Sequence, residues 1–403
     1  MFRWTPDRAH ISLVGLEWVN VRRKVIIAMK FGVFLLNEKP PQTSDEEVTD
    51  NALEQSVMAD EWGFDALFLG EHHFSPYGTM ADTMVFGGAV AVQTKRIMIS
   101  NAVLVPSFVH PVRVAEQIAM VDVMSHGRYA PGFGRGYQSR EFRGYGVDQN
   151  QSTARFREAV KIIDGLLSNE TFSYQGQFWS FENLPLTPRP VQRPRPPMYV
   201  GAIKTQESVE WMVENDYLPM TGNPYSQPNP LEAYSGAAVH DMILDVQRRL
   251  GKPETLDDTW GLLHNVVVAD SDEEAARVFR ESWEFGNELI YTYTKVVEEG
   301  EALPDDYKAY AGGMFTALKQ YSYDDMLNFP GSLVGSPDTV VEKLKRIHEL
   351  TGLKNQIMWM NRGGVMKQPD LLRSMELFAK EVLPRVKDLG EQVPAVAGAA
   401  AAA

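Results

Sequence analysis

The sequence predicts an α/β fold, a (β/α)8 TIM barrel with insertions at the C-terminal face of the barrel. Two observations lead to this prediction: apolar runs of strand length alternate with helical patterns, and the alternation continues through most of the 403 residues. With 44% apolar residues, the chain can bury a large core. A doubly wound open sheet is the alternative, because periodicity alone does not distinguish an open parallel sheet from a closed one.

Strand and helix alternate four times in the first part of the chain. Ser44 and Glu47 have the spacing of a capping box and predict the start of the first helix. Another helix is predicted after Pro111, where apolar residues repeat at helical spacing. The strands predicted in this part are 30–36, 65–70, 97–105 and 129–136.

The second part of the chain repeats the alternation less regularly. Ser336 followed by Pro337 has the pattern of an N-cap and a first helical residue. The strands predicted in this part are 198–201, 217–221, 262–269 and 356–361. A closing amphipathic helix is predicted from the spacing of Leu371, Met375, Phe378 and Val382.

Two segments, 172–197 and 271–330, are longer than ordinary loops. Long insertions on a barrel usually build or cover its active site, so we expect the mainly helical segment 271–330 to form a lid. One domain is expected over 29–388. Residues 1–28 are interpreted as a disordered leader upstream of the natural start, and the alanine-rich tail 389–403 is also expected to be disordered.

The composition restricts the class of ligand. The formal net charge of −14 and the lack of a basic cluster argue against nucleic acid and anionic membrane surfaces. The sequence has 0 cysteines, which excludes disulfides, thiolate nucleophiles and cysteine metal sites. No segment approaches the roughly 20 apolar residues that a membrane span needs, and no export signal is recognised. We therefore expect a cytoplasmic protein that binds a small molecule.

Glu71, His72 and His73 directly follow a predicted strand and are the clearest chemical signal. Successive side chains on a strand point to opposite sides, so these three do not ligate one metal, and no metal site is predicted. At the C-terminal end of a barrel strand, a polar residue faces the place where barrel enzymes do chemistry. Imidazole can accept and return a proton near neutral pH. The alternative is that His72 caps the strand by hydrogen bonding.

A glycine-rich stretch at 132–136 has the order Gly-x-Gly-x-Gly, which is not a dinucleotide-binding fingerprint. Glycines let the backbone approach a planar ligand closely, and Arg135 offers a forked donor for a phosphate. Thr205 and Ser208 lie at the start of a predicted helix, where hydroxyls and free amides bind anions well. Taken alone, the glycine-rich stretch is not specific for any one ligand.

Three motifs occur in the order and spacing of one enzyme family: Glu-His-His-Phe at 71–74, Gly-Phe-Gly-Arg-Gly-Tyr at 132–137, and Pro-Arg-Pro-Val-Gln at 188–192. The segment that begins Met-Lys-Phe-Gly-Val-Phe-Leu-Leu at Met29 is similar to the start of the luciferase α subunit. The chain therefore resembles the bacterial-luciferase-like flavin-dependent monooxygenases, from Met29 almost to its end.

The resemblance implies residue roles around a flavin. His72 matches a histidine that serves as a general base beside the flavin. Glu141 matches a carboxylate near the flavin that influences binding of the reduced form, and a solvated loop position is its alternative. The substrate pocket is expected to include His73 and Trp283, although His73 could lie behind the site and Trp283 in the core.

Contacts with the cofactor are implied at further positions. Arg135 and the backbone near Tyr137 would contact the FMN phosphate, together with Thr205 and Ser208. The Asn101–Ala102 bond matches the position where the family has a non-proline cis peptide against the flavin ring.

The sequence also departs from luciferase. Gly134 replaces the reactive cysteine before the family arginine, which removes a thiol and is expected to leave more room beside the flavin. The segment 271–330 shares little detail with luciferase. Neither a long-chain aldehyde substrate nor light emission is therefore carried over.

The resemblance implies an FMNH2-dependent two-component monooxygenase. Reduced FMN would come from a separate NAD(P)H-dependent reductase and activate O2 as a C4a-peroxyflavin, which would oxygenate a small apolar aldehyde, ketone or alkene. One alternative is a deazaflavin-dependent oxidoreductase that transfers hydride, and another is a non-catalytic flavin-binding subunit. The helices near Glu116 and Asp122 correspond to the family's subunit interface, so we expect a homodimer or a heterodimer with a related subunit.

Overall fold

The structure is a computed structural model that describes residues 28–201, 205–221, 237–300, 302–305, 307 and 321–391. The predicted leader, apart from residue 28, and the predicted tail after 391 lie outside the described residues. Residues 389–391 were expected to be disordered and instead end a 3-10 helix, Lys387–Glu391.

The described residues form a nearly closed barrel of parallel strands, as the sequence predicts. The strands of this sheet are β1 (Lys30–Leu35), β2 (Ala66–Leu69), β3 (Met98–Asn101), β4 (Tyr129–Ala130), β5 (Gly132–Phe133), β8 (Tyr199–Gly201), β9 (Leu218–Thr221), β10 (Trp260–Val268), β11 (Ser332–Gly335) and β12 (Asn355–Trp359). They follow the order β4-β3-β2-β1-β12-β10-β9-β8-β5, and β11 pairs with β10. The open doubly wound sheet is therefore excluded.

Barrel closure depends on two very short strands. β4 pairs with β3 and β5 pairs with β8, and Pro131 alone separates β4 from β5. The two are halves of one barrel strand whose neighbours change at the proline. With these halves counted together, all eight predicted strands are present. β11 is a ninth strand that the sequence reading missed, because its four residues lie just beyond a segment interpreted as a lid.

Helices follow the strands and cover the outside of the barrel. The α-helices in the described ranges are α1 (Asp45–Glu61), α2 (Thr83–Gln93), α3 (Pro111–Met124), α4 (Ser139–Gly144), α5 (Ser152–Ser168), α6 (Gln206–Glu214), α7 (Ala237–Arg249), α8 (Asp272–Tyr293), α9 (Tyr323–Leu327), α10 (Pro337–Thr351), α11 (Gln368–Leu377) and α12 (Leu383–Val386). None of these helices has both the length and the apolar character that crossing a membrane requires.

Local sequence explains where several helices begin. The Ser44 side chain accepts a hydrogen bond from the Glu47 backbone at the start of α1. Ser336 is the N-cap of α10, and Pro337 is its first residue, as predicted. The closing helix is continued by a π-helical turn, Phe378–Val382, in which Phe378 is fully buried. Its ring packs on Phe31 of β1 at a centroid distance of 5.7 Å.

The first long segment forms a hairpin that the sequence reading did not predict. β6 (Thr171–Gln175) and β7 (Ser180–Pro185) pair antiparallel in a separate sheet. Glu158 on α5 accepts backbone N–H groups at the turn, from Phe178 at 3.0 Å and Trp179 at 2.9 Å. The sequence does not reveal this contact locally, because it joins a carboxylate on a helix to a turn about twenty residues later.

The Pro-Arg-Pro-Val-Gln motif is structural. Asp122 on α3 is fully buried, and its carboxylate accepts the backbone N–H groups of Val191 and Gln192. The Gln192 side chain also donates to Asp122 and to the carbonyl of Tyr129. The motif therefore fastens the chain to α3 and β4 before it enters β8.

Candidate active site

The predicted site residues lie where the barrel strands end. Because the strands are parallel, their C-terminal ends meet at one face of the barrel. Glu71 to His73 follow β2, Gly134 to Tyr137 follow β5, and Glu141 lies on the short helix α4. The fold therefore brings segments far apart in sequence to one mouth.

His72 and Glu141 form the central contact of this mouth. His72 Nδ1 lies 2.9 Å from Glu141 Oε1, and the same oxygen accepts the backbone N–H of His73 at 3.0 Å. Glu141 is only 1% exposed, so its interpretation as a solvated loop carboxylate is wrong. His72 is partly exposed, and its side chain is the more accessible member of the pair.

The protonation of His72 follows from its neighbours. Gln138 Nε2 also lies 2.9 Å from His72 Nδ1, so this nitrogen either donates to Glu141 or accepts from Gln138. A carboxylate is the stronger partner, which favours a proton on Nδ1. The other ring nitrogen, Nε2, is then a proton acceptor. The simple strand-capping role considered for His72 does not account for this arrangement.

His73 lies behind the mouth. It is 4% exposed, its Nε2 lies 3.1 Å from Glu71 Oε1, and its Nδ1 lies 3.1 Å from the Tyr145 hydroxyl. Burial raises the pKa of the Glu71 carboxyl, and the contact with His73 opposes that shift. Both ring nitrogens are already in contact with protein groups, so the structure favours a supporting role for His73 over a place in the substrate pocket.

Two aromatic rings frame His72. The Tyr77 ring lies 4.8 Å from the imidazole by centroid distance, and the Tyr137 ring lies 5.9 Å away and nearly perpendicular. Burial raises the pKa of Tyr77 well above its usual value, with smaller contributions from Tyr137 and Glu38. Tyr77 is therefore a neutral phenol. Tyr77 and Gln138 were not recognised from the sequence, although both lie within a few residues of recognised motifs.

Arg135 is positioned at the start of α5. Its Nη1 donates to Thr153 Oγ1 at 2.7 Å, and its guanidinium lies 4.1 Å from the centre of the Tyr307 ring. The Tyr307 hydroxyl in turn donates to the carbonyl of Gly136 at 2.7 Å. These contacts hold the guanidinium at a helix N-terminus, where anions bind favourably. Thr153 and Tyr307 were not recognised from the sequence, since each is distant from the glycine-rich stretch.

Thr205 and Ser208 begin α6, as predicted. Thr205 is the N-cap, and its Oγ1 accepts the Ser208 backbone N–H at 3.3 Å and lies 2.9 Å from the Ser208 hydroxyl. α6 packs beside the beginning of α5, where Arg157 Nη1 donates to Glu207 at 2.7 Å. Thr205 and Ser208 therefore lie at the start of α6, and Arg135 contacts the first turn of the neighbouring helix α5.

The cis peptide lies one residue later than predicted. The non-proline cis bond joins Ala102 to Val103, not Asn101 to Ala102. The Asn101 side chain is fully buried, donates to Thr83 at 2.9 Å and accepts from the Tyr129 hydroxyl. Asn101 thus anchors β3 to α2, and its side chain is not available to a cofactor.

Val103 fills the space expected beside Gly134. A Cβ added at Gly134 would lie 2.2 Å from Val103 Cγ2, and one added at Gly201 would lie 2.7 Å from Val103 Cγ1. The expectation of extra room at Gly134 is therefore wrong, because the valine occupies it. The backbone at both glycines approaches the valine closely, so this wall of the mouth is tightly packed.

Trp283 lies on α8 within the predicted lid and is 4% exposed. The Arg362 guanidinium covers its ring at 4.3 Å from the centre. Arg362 follows β12, which places this pair at the same face of the barrel as His72. The burial of the ring agrees with the alternative that Trp283 lies in the core, and its place in the substrate pocket stays a prediction. Within the described ranges, no cluster of three potential metal ligands occurs.

The comparisons with known proteins bear on this arrangement. A family model described as luciferase-like monooxygenase matches residues 29–354. The chain belongs to the luciferase-like monooxygenases. This confirms the resemblance found in the sequence and the enzyme class, a flavin-dependent monooxygenase.

Curated relatives of this luciferase-like monooxygenase align along nearly their whole length. An alkanal monooxygenase alpha chain from Photorhabdus luminescens is 26% identical over 369 residues, which cover 89% of this chain and 98% of the relative. The oxygenase component of a flavin-dependent trigonelline monooxygenase from Acinetobacter baylyi is 26% identical over 363 residues, covering 88% and 95%.

Solved structures share the barrel. Monooxygenase RslO1 from Streptomyces bottropensis has a TM-score of 0.74 and 27% identity, covering 88% of this chain and 99% of that one. The oxygenating constituent of 3,6-diketocamphane monooxygenase from Pseudomonas putida, in complex with FMN, has a TM-score of 0.72 at 22% identity, covering 89% and 99%. A coenzyme F420 dependent reductase from Methanopyrus kandleri has a TM-score of 0.62 at 19% identity, covering 89% and 100%. The last two likenesses show the fold alone.

Proposed function

We propose that this luciferase-like monooxygenase is the oxygenase of a two-component system. It would use FMNH2 from a separate NAD(P)H-dependent reductase to oxygenate a small apolar aldehyde, ketone or alkene. The observation that carries the proposal is the contact between His72 Nδ1 and the buried Glu141, in the same mouth as Arg135. The relative from Acinetobacter baylyi is named as an oxygenase component, which supports the need for a reductase.

The residues present fit a planar, phosphorylated cofactor. Arg135 at the start of α5, with Thr205 and Ser208 at the start of α6, would hold the phosphate of FMN. The close packing of Val103 against Gly134 provides a firm wall for a flat ring. Bound reduced FMN supplies the electrons that activate dioxygen.

His72 would handle the proton in this reaction. With its Nδ1 directed at Glu141, its Nε2 can take a proton and return it to the oxygen or the substrate at the reacting centre. Glu141 would orient the ring and fix the tautomer. Tyr77 and Tyr137 would exclude water from the imidazole, which protects a reactive oxygen species from wasteful breakdown.

The test is rapid mixing of the anaerobic protein with FMNH2 and then with oxygenated buffer, followed by absorbance. We expect the wild type to form a transient absorbing intermediate as the reduced flavin is oxidised. This intermediate should persist longer than free reduced flavin survives in the same buffer. His72→Ala should change its lifetime or its yield of product. Oxidation at the rate of free flavin in the wild type would contradict the proposal. A preference for a deazaflavin over FMN would then favour hydride transfer, and no reaction with either would favour a non-catalytic flavin-binding subunit.

The proposal includes a dimer built on α2 and α3. Val85, Val92 and Met120 on these helices are 71%, 65% and 46% exposed, an unusual cluster of apolar side chains in water. A groove between the helices is lined by further apolar residues, including Met84 and Met124. Light scattering would show the oligomer, and co-expression with a related subunit would distinguish a heterodimer from a homodimer. Because the reductase draws on NAD(P)H, we also propose a cytoplasmic location.

A further inference from the structure

A second cavity lies beside the mouth, at the same face of the barrel, and none of the predicted site residues lines it. It has a volume of about 270 Å³ and is enclosed by the end of β1, the first half of α1 and the loop between β12 and α11. Its walls include Leu36, Val48 and Met366, together with the polar residues Glu38 and Asn361. A cavity of this size accommodates a small organic molecule.

Two hydrogen-bond acceptors in this wall have no partner among the described residues. Glu38 is 3% exposed, and its Oε1 is buried without a hydrogen bond. Asn361 Oδ1 is likewise buried and without a hydrogen bond. Leaving buried acceptors unpaired is costly, so a site with two of them favours a ligand that offers donors.

The other oxygen of Glu38 fixes its position. Glu38 Oε2 accepts the backbone N–H of Gly363. A Cβ added at the next residue, Gly364, would lie 2.2 Å from the Glu38 carbonyl oxygen, so the two loops are in close contact. The carboxyl group is therefore held in place and is not free to swing out to water.

The charged and titratable groups around Glu38 come from three elements: the loop after β12, the loop after β2, and α1. Arg362, in the loop after β12, lowers the pKa of the Glu38 carboxyl. Tyr77, in the loop after β2, has its own pKa raised in part by Glu38. Glu47 on α1 and Lys367 before α11 line the cavity and are exposed. The Arg362 guanidinium is stacked on Trp283 of α8 and lies 5.6 Å from the centre of the Trp359 ring.

We propose that this cavity is a second binding site, which takes a small aliphatic primary amine as its ammonium ion. The ammonium group would donate to Glu38 and Asn361, and the alkyl chain would lie against the apolar wall. Ammonium provides three donors and a positive charge, which matches one carboxyl oxygen and one amide oxygen. The site is separate from the predicted FMN contacts, so it does not depend on the proposed reaction.

Binding of an ammonium ion at this site is coupled to loss of the proton from Glu38. Burial raises the pKa of Glu38 to about 8, against the opposing effects of the Gly363 hydrogen bond and Arg362. Glu38 is therefore largely protonated at pH 7, and an ammonium ion must displace that proton. An aliphatic amine with a pKa of roughly 10 remains charged up to about pH 9. Affinity should therefore rise about tenfold between pH 7 and pH 9, as the ionised fraction of Glu38 rises.

The experiment is calorimetric titration of the flavin-free protein with n-butylammonium chloride at pH 7 and pH 9. We expect saturable binding that strengthens with pH, and much weaker binding of n-butanol, which lacks the charge. Glu38→Gln should lower the affinity at least tenfold and remove the pH dependence. Glu47→Gln is the matched control, because this exposed carboxylate at the cavity wall should contribute less than about threefold.

Several results would overturn the proposal. They are the absence of saturable binding at pH 9, equal binding by Glu38→Gln, or equal binding of the alcohol. Ala52→Leu provides an independent check, since Ala52 lines the cavity from α1 and a larger side chain should block it without changing Glu38. Blocked binding in a folded Ala52→Leu protein is expected, and unchanged binding would place the ligand elsewhere.

Discussion

Glu141 Oε1 contacts both the side chain of His72, at 2.9 Å, and the backbone N–H of His73, at 3.0 Å. A single buried oxygen therefore sets the ring orientation of one histidine and the chain path of the next. The residues are about seventy positions apart, and the barrel brings them together because β2 and β5 end at the same face.

Glu141→Gln should reduce kcat about 10- to 100-fold, the usual cost of losing a group that orients a functional histidine. The glutamine oxygen can take the Oε1 position and still accept from His73. A neutral amide oxygen is a weaker acceptor for His72 than a carboxylate, so Gln138 Nε2 would donate to Nδ1 instead. This arrangement moves the ring proton to Nε2 and removes the base. The measurements are the rate of product formation and the product formed per FMNH2 consumed. Glu71→Gln is the control, because Glu71 contacts His73 and not His72, and wild-type coupling in Glu141→Gln would refute the role.

Arg135→Lys should weaken FMNH2 binding by roughly tenfold or more, because a lysine cannot reproduce the forked contact or the stacking on Tyr307. Anaerobic titration of FMNH2 measures the effect. Reduced riboflavin, which lacks the phosphate, is the control ligand and should bind both proteins with similar affinity. An equal loss for the two flavins would show that Arg135 acts on the ring or on the fold rather than on the phosphate.

Gly134→Ala should destabilise the protein by about 1 to 3 kcal/mol, the usual cost of forcing an extra group into packed space. The added Cβ would lie 2.2 Å from Val103 Cγ2. Val103→Ala should recover part of this loss in the double variant, so the two changes should not be additive. Chemical denaturation of all four proteins tests the coupling. Additive effects would mean that the alanine strains the backbone and not the valine contact.

Glu38 should make stability depend on pH in an unusual direction. Burial raises its pKa from 4.5 to about 8 in the folded protein. Between these values the folded state holds a proton that the unfolded state has lost, so the free energy of unfolding falls as pH rises from 4.5 to 8. Glu38→Gln cannot ionise and should lack this decrease. Denaturation at pH 5, 7 and 9 should show the free energy of unfolding of the variant rising relative to that of the wild type. Parallel pH profiles for the two proteins would contradict a raised pKa for Glu38.

Much of the barrel was predictable because strands carry a local signal. Runs such as Lys30–Leu35 are apolar, have strand length and are followed by helical spacing. β11 and the hairpin β6–β7 were missed, since short strands within or just after long insertions differ little from loops. The predicted domain limits, 29–388, remain a prediction beyond the residues that the family model matches.

The site was predictable only where a motif carries the function. His72, Arg135 and Thr205 were found at positions that the structure brings to the mouth or its adjoining helix starts. Thr153 and Tyr307 were not found, because they reach the site through packing between distant segments. The cis bond was placed one residue early, since nothing in the local residue types specifies which peptide adopts it.

The division of one barrel strand at Pro131 should make local opening of the sheet easier at this strand than elsewhere in the barrel. Closure there depends on two strands of 2 residues each, joined by a residue without an N–H. Such a seam should exchange its amide hydrogens with water sooner than the long strand β10 on the other side of the ring. Gly134 and Arg135 directly follow this pair of short strands. A phosphate bound by Arg135 would therefore restrain the strands and stabilise closure of the barrel. Cofactor binding would then slow hydrogen exchange at Gly132 and Phe133, far more than at β10.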